Sequence, residues 1–391
     1  MPLDAVIFDI DGTLVDTNEA HARTWAQAFR QHGYGLPISR VRPEIGKGGP
    51  KLLESVIGAE AAEADGDGLR AAHSTHYHAL LDAEGARVFP EAVALVEAVK
   101  AAGLRTAVAT AAEEDELAHV LEAAGLDLAA RVDAVVNGSD VETSKPAPDV
   151  VHVAAEKLGL SPAQCALIGD TPYDAIASLH AGAVCLGVCT GVHTADDMHR
   201  AGARASYADP ADLLAHLDEA LERAAPSRMR FTPEWMAALM DEALDEARAG
   251  LDAGELPIGS VLVDGTGRVV GRGHHAVRAA GNPTAHAALN AFADAAGRGA
   301  LADPALVLVT TLEPGVIGLG AALEARVDTV VYALAAPENG GALRCRPANR
   351  PESPMPRLVG GIRAEASREL FAMWQETRGA SDFVRRLSTG G

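Results

Sequence analysis

The stretch that decides the fold of the N-terminal half is Ala5-Val6-Ile7-Phe8-Asp9-Ile10-Asp11-Gly12-Thr13. Its unbroken apolar run predicts a strand buried on both faces, as in a parallel sheet. Side chains alternate along a strand, so Asp9 and Asp11 point the same way from its C-terminal end. Gly12 and Thr13 then permit a sharp turn that keeps both acids at the mouth of the sheet. A carboxylate pair in that place can bind a hard cation, attack phosphorus or pass a proton.

Outward from this stretch, short apolar strands alternate with amphipathic helices as far as about Leu221. The further strands read as 105–109, 134–137, 165–168 and 184–188, and helices over 91–102, 115–124 and 148–158 end at Gly103, Gly125 and Gly159. Glycine just past a helix is a stop signal, and strand–helix alternation predicts a parallel, doubly wound α/β sheet. Mainly helical sequence from about 16 to 88 interrupts the alternation and reads as an inserted cap. The periodic pattern lapses around Arg223–Arg230. A second α/β region follows, with helices at 233–249, 285–296, 318–325 and 363–375 and strands at 258–264, 269–274, 305–310 and 329–334. The expected division is 1–225, 230–379 and a flexible tail 380–391.

At 391 residues the chain is too long for one typical core. No stretch reaches the length of a membrane span, and no basic-then-apolar leader precedes the first strand. Cys165, Cys185, Cys189 and Cys345 have no C-x-x-C spacing, so the reading is a reducing cytoplasm. Net charge is −21, with 17 basic and 35 acidic residues in 1–229 alone. Phosphate-backbone binding needs a basic surplus, which neither half has, so neither nucleic acid nor membrane is an expected partner.

Four elements fall at predicted strand ends: Asp9/Asp11; Thr110; Lys145 in Ser144-Lys145-Pro146; and Asp170/Asp174 in Gly169-Asp170-Thr171-Pro172-Tyr173-Asp174. In this order they resemble the haloacid-dehalogenase-like phosphohydrolases with a small helical cap, over roughly the first 225 residues. The resemblance implies that Asp9 is the nucleophile and Asp11 the general acid and base. It further implies that Thr110 and Lys145 hold the phosphoryl group. Mg²⁺ is the implied cofactor, held by Asp9, the main-chain carbonyl of Asp11 and Asp170, with Asp174 just behind. Halide leaves without a proton, so the second acid points to phosphate esters. A phosphosugar mutase would carry the same residues.

In the cap, Arg42, Lys47 and Lys51 flank Gly46, Gly48 and Gly49, a candidate substrate loop or a solvated basic turn. His21 and Trp25, one helical turn apart, read as packing more than as site residues. His73, His76 and His78 read as solvated on a polar helix.

The C-terminal half has Glu255-Leu256-Pro257-Ile258-Gly259, Asn282-Pro283-Thr284-Ala285-His286 and Thr310-Thr311-Leu312-Glu313-Pro314. These resemble the cytidine and tRNA-adenosine deaminase-like fold over most of 231–379. That family's signature is H-x-E followed by P-C-x-x-C. Here Ala288 stands at the Glu position, Gly315 and Gly318 stand at the thiolates, and His275 replaces a base-contacting Asn. One imidazole does not make a zinc site, so no zinc and no deamination are expected. His286 reads as a satisfied buried histidine, and Cys345 is too isolated to substitute.

The expected whole is an α/β phosphomonoester hydrolase for a small phosphorylated metabolite, joined to a deaminase-like α/β/α domain for dimerisation or ligand binding. A homodimer is expected. The alternatives are the mutase and a non-catalytic nucleotide-binding regulator.

Overall fold

The computed structural model describes residues 3–225, 232–302, 305–336, 340–341, 345, 355–378, 384 and 387. The break at 226–231, most of the Pro- and Gly-rich loop before Met355 and most of the tail from 379 lie outside the described residues. Two compact units result, Leu3–Ala225 and a C-terminal one drawn from the residues after it. Among the described residues no helix is long and apolar enough to cross a membrane.

The first unit is built on six parallel strands in the order Ala134–Val136, Arg105–Ala109, Ala5–Phe8, Cys165–Gly169, Val184–Val188, Ala205–Tyr207. Ile7 pairs with Ala107 on one side and Leu167 on the other. The opening strand is therefore central, and its period of two feeds two cores. Val6 and Phe8 join Val108, Ile168 and Leu186, while Ala5 and Ile7 join Ala107, Leu167 and Cys185. After the first strand the chain builds one half of the sheet and then the other. Loops leaving the adjoining strands at that switch point diverge and open a crevice at their C-terminal ends.

The cap begins and ends at a two-stranded antiparallel ribbon, in which Val15 pairs with Val88 and Asp16 with Arg87. Its main helices are Asn18–Gln31, Gly49–Ile57 and Ala59–Glu84. They enclose a core of their own around Trp25, Phe29, Leu52, Leu53 and Leu69. The ribbon and the strand Ala205–Tyr207 escape the sequence reading, as does Arg357–Val359 in the second unit. Each is two or three residues long and too short to show alternation.

The second unit has a mixed five-stranded sheet in the order Val269–His274, Gly259–Val263, Val307–Leu312, Thr329–Leu334, Arg357–Val359. The first three strands are antiparallel among themselves, and the last three are parallel among themselves. Helix Pro233–Asp252 packs Met240, Ala243 and Ala247 against Val261 and Val263. A Cβ on Gly271 or Gly273 would stand 2.2 Å or 2.5 Å from the backbone at Ala291, so helix Ala287–Gly297 seats directly on that strand. Gly273 pairs with Ser260, whose side chain opposes those of Val261 and Val263, so the two helices cover opposite faces. This matches the expected α/β/α layering.

Ile7→Ala should cost about 2–5 kcal/mol, because the central strand has no room to collapse onto the cavity. A change below about 1 kcal/mol in the unfolding free energy from urea titration would place Ile7 outside its core.

Candidate active site

The backbone of Asp9 continues the sheet ladder, with its N–H donating to Ile168 O at 2.9 Å. The chain then turns through Gly12 at φ +76°, where a Cβ would lie 2.2 Å from both Asn18 Nδ2 and Asp170 Oδ2. Only glycine lets the first and fourth strand-end loops approach this closely.

Lys145 is 1% exposed and donates to Asp9 Oδ1 at 2.7 Å and Asp174 Oδ1 at 2.8 Å. Asp174 is fixed in turn as part of the capping box of helix Pro172–Ala181, its Oδ2 accepting from Thr171 N and Oγ1. Asn18, 152 residues away in sequence, donates to Asp170 Oδ2 at 2.7 Å, while the buried Asp170 Oδ1 has no hydrogen-bond partner among the described residues. Oxygens of Asp9, Asp170 and Asp174 lie within 4.8 Å of one another, all buried. Three buried carboxylates against one buried lysine leave negative charge uncompensated. Burial pushes Asp9 up to about 7 despite the pull of Lys145, and burial with Asp174 and Asp9 drives Asp170 well above its ordinary value. An unpartnered oxygen in an anionic, all-oxygen cluster fits a hard divalent cation.

Asp11 lies beside this group but is held differently. It accepts from Thr17 Oγ1 at 2.7 Å, Thr110 Oγ1 at 3.3 Å and His21 Nε2 at 3.3 Å. Burial works to raise its carboxyl, yet the hydrogen bond and charge of His21 hold it down at about 2. Burial likewise opposes the His21 charge, but Asp11 raises that imidazole above its ordinary value.

Asp9, Asp11, Thr110 and Lys145 line one cavity of about 490 Å³ between core and cap. Lys47 and Gly46–Gly49 of the cap loop also line it, and so do His21 and Trp25, which sequence alone reads as packing. Arg42 and Lys51 do not. Arg42 makes a two-pronged pair with Glu19 at 2.9 and 2.8 Å, and the half-buried Lys51 is outside the wall. Lys47 is held by Glu44 and Ser55.

His73 corrects the expectation of a solvated histidine. It is 5% exposed, stacked on Trp25 at 4.1 Å, and its Nε2 is 3.3 Å from His21 Nδ1. Burial, with the His21 charge, holds it well below the ordinary imidazole value. The signal was present as a four-residue stripe of buried positions, Leu69, His73, Tyr77 and Leu81. Arg70, Glu113, Asp115 and Glu116 also line the cavity. Asn18 had no local signal at all.

In the second unit, His275, His286, Ala288, Gly315 and Gly318 line a pocket of about 370 Å³ with Leu256, Ile258 and Leu312. The positions of the zinc-site signature thus converge in space. His286 is half-buried rather than buried, with Nε2 3.1 Å from Pro283 O.

Comparison with known proteins agrees with this division. The family model of haloacid dehalogenase-like hydrolases matches residues 3–182, and that of the cytidine and deoxycytidylate deaminase zinc-binding region matches residues 233–334. The protein named "Probable phosphatase IndB" from Dickeya dadantii is 33% identical over 202 residues, 50% of this chain and 85% of that protein. A crystal structure of a hydrolase from Pseudomonas syringae has a TM-score of 0.52 at 31% identity, covering 55% of this chain and 98% of that one. A tRNA(Ile)-lysidine synthase from Deinococcus radiodurans is 40% identical over 147 residues, 36% of this chain. The chain spans only 25% of that synthase, and 18% of another curated relative that it matches. The chain belongs to the haloacid dehalogenase-like hydrolases and carries a cytidine/deoxycytidylate deaminase-like domain behind that one.

Gly12→Ala should weaken divalent-cation affinity at least about tenfold by displacing Asp170 and Asn18. Unchanged affinity in calorimetric titration would remove the glycine from the site's construction.

Proposed function

We propose that the first domain hydrolyses a phosphomonoester of a small metabolite in the cytoplasm. The observation that carries this reading is the buried Asp9–Lys145–Asp174 bridge beside Asp170, with Asp9 and Lys145 lining the cavity. An oxygen of Asp9 bonds to phosphorus while the ester P–O bond breaks. The leaving oxygen takes a proton through Asp11, which His21 Nε2 resupplies. Water then attacks the aspartyl-phosphate, with Asp11 accepting its proton, and phosphate departs. Lys145 neutralises phosphoryl charge and restrains that of Asp9, and Thr110 donates beside it. Mg²⁺, held by Asp9 and Asp170 with the Asp11 carbonyl, supplies further charge neutralisation and alignment of the ester. The carboxylate of Asp174 is occupied by Lys145 and Thr171, which supports a role in positioning Lys145. Lys47 is the cap residue proposed to meet the substrate.

For the second domain we propose ligand binding or dimerisation without deamination. Ala288, Gly315 and Gly318 offer no proton shuttle and no thiolates, and His286 alone does not hold zinc.

Phosphate release from p-nitrophenyl phosphate should require Mg²⁺ and vanish in Asp9→Asn, and activity surviving that change would overturn the nucleophile. A sugar 1-phosphate should yield free phosphate, since a 6-phosphate product would make the protein a mutase. Cytidine should pass through the full chain with no ammonia released.

A further inference from the structure

Beyond the three aspartates, the cavity contains a second group of ligand-type side chains that phosphoryl transfer leaves partly unused. His21 Nδ1 is 3.3 Å from His73 Nε2 and 3.8 Å from Glu116 Oε1, and one ligand atom from each of the three lies within 4.8 Å of the others. Each residue comes from a different helix. Asn18–Gln31 and Ala59–Glu84 belong to the cap, and Glu114–Ala123 belongs to the core.

We propose that His21, His73 and Glu116 form a binding site for a transition-metal dication of the zinc class, tying the cap to the core. The dimensions fit. Two nitrogens each about 2.1 Å from a tetrahedral ion stand about 3.4 Å apart, close to the observed separation. Two imidazoles and one carboxylate are a borderline-soft set that favours zinc, cobalt or nickel over magnesium. The three leave a fourth coordination position for water.

The rings are held in place before any ion arrives. Tyr77 stacks on His21 at 4.0 Å and Trp25 stacks on His73 at 4.1 Å, so neither imidazole turns freely. His21 Nε2 is engaged by Asp11 at 3.3 Å, which leaves Nδ1 as the coordinating nitrogen. A carboxylate on the far nitrogen of a ligating histidine is the usual support for such a ligand. Glu116 is half-buried, lines the cavity, and among the described residues receives no hydrogen bond on its carboxylate. The competing reading of the same atoms is a plain N–H···N hydrogen bond between two imidazoles, with Glu116 a bystander.

Cobalt(II) separates the two. The full chain, without a histidine tag, is saturated with Mg²⁺ to fill the all-oxygen site and then titrated with Co²⁺. One equivalent should produce the intense visible d–d bands of tetrahedral cobalt, and Zn²⁺ should abolish them by displacement. The bands should be lost in His73→Asn and in Glu116→Gln, each checked for an unchanged far-ultraviolet circular dichroism spectrum. These bands report coordination whether or not the chain is a phosphatase. Absence of the bands in the unaltered chain, or their survival in both folded variants, would overturn the site. If His73→Asn does not fold, Glu116→Gln alone decides, because Glu116 lies in the cavity wall outside the apolar cores.

Discussion

A lysine ammonium with almost no access to water sits between two carboxylates, and the geometry of the first domain depends on it. Lys145 reaches Asp9 on the central strand and Asp174 on the helix after the fourth strand. Removing water from such charges costs several kcal/mol per ion, so the arrangement persists only because each charge meets its partner at hydrogen-bond distance. Losing one member would leave an uncompensated buried charge, a cost of about 3–5 kcal/mol. The bridge therefore ties the loops of the switch point together while leaving the second oxygen of Asp9 free for chemistry.

Around that bridge, two neighbouring carboxylates take opposite characters. Burial raises Asp9 despite its lysine, whereas His21 and Thr17 hold Asp11 low. The cap contributes directly, because His21 arrives on its first helix and is bracketed by Tyr77 and His73 from its longest one. Cap position and the electrostatics of Asp11 are thus coupled through one imidazole.

The second domain shows the opposite case. It has the layered α/β sheet of its family, and Ala288, Gly315 and Gly318 stand with His286 around one pocket. Gly318 sits close to its neighbours, since a Cβ there would lie 3.1 Å from that of Pro314 and 3.3 Å from that of Ala288. Fold and chemistry are separable here because the sheet is held by Val261, Val263, Val307 and Val309, none of which line the pocket.

Read alone, the sequence determined the opening strand, the place of Asp9, Asp11, Thr110 and Asp170 at strand ends, and the two-domain α/β class. Those features are local: apolar runs, alternation and stop signals act over a few residues. Only the tertiary structure decided that Asn18 holds Asp170, that His21 and His73 line the cavity, and that Arg42 and Lys51 do not. It also turned Glu116 toward two histidines from other helices. These contacts join residues far apart in the chain, where no period of two or of three and a half connects them. A polar side chain inside a helix reads as solvated until its neighbour across the fold is known.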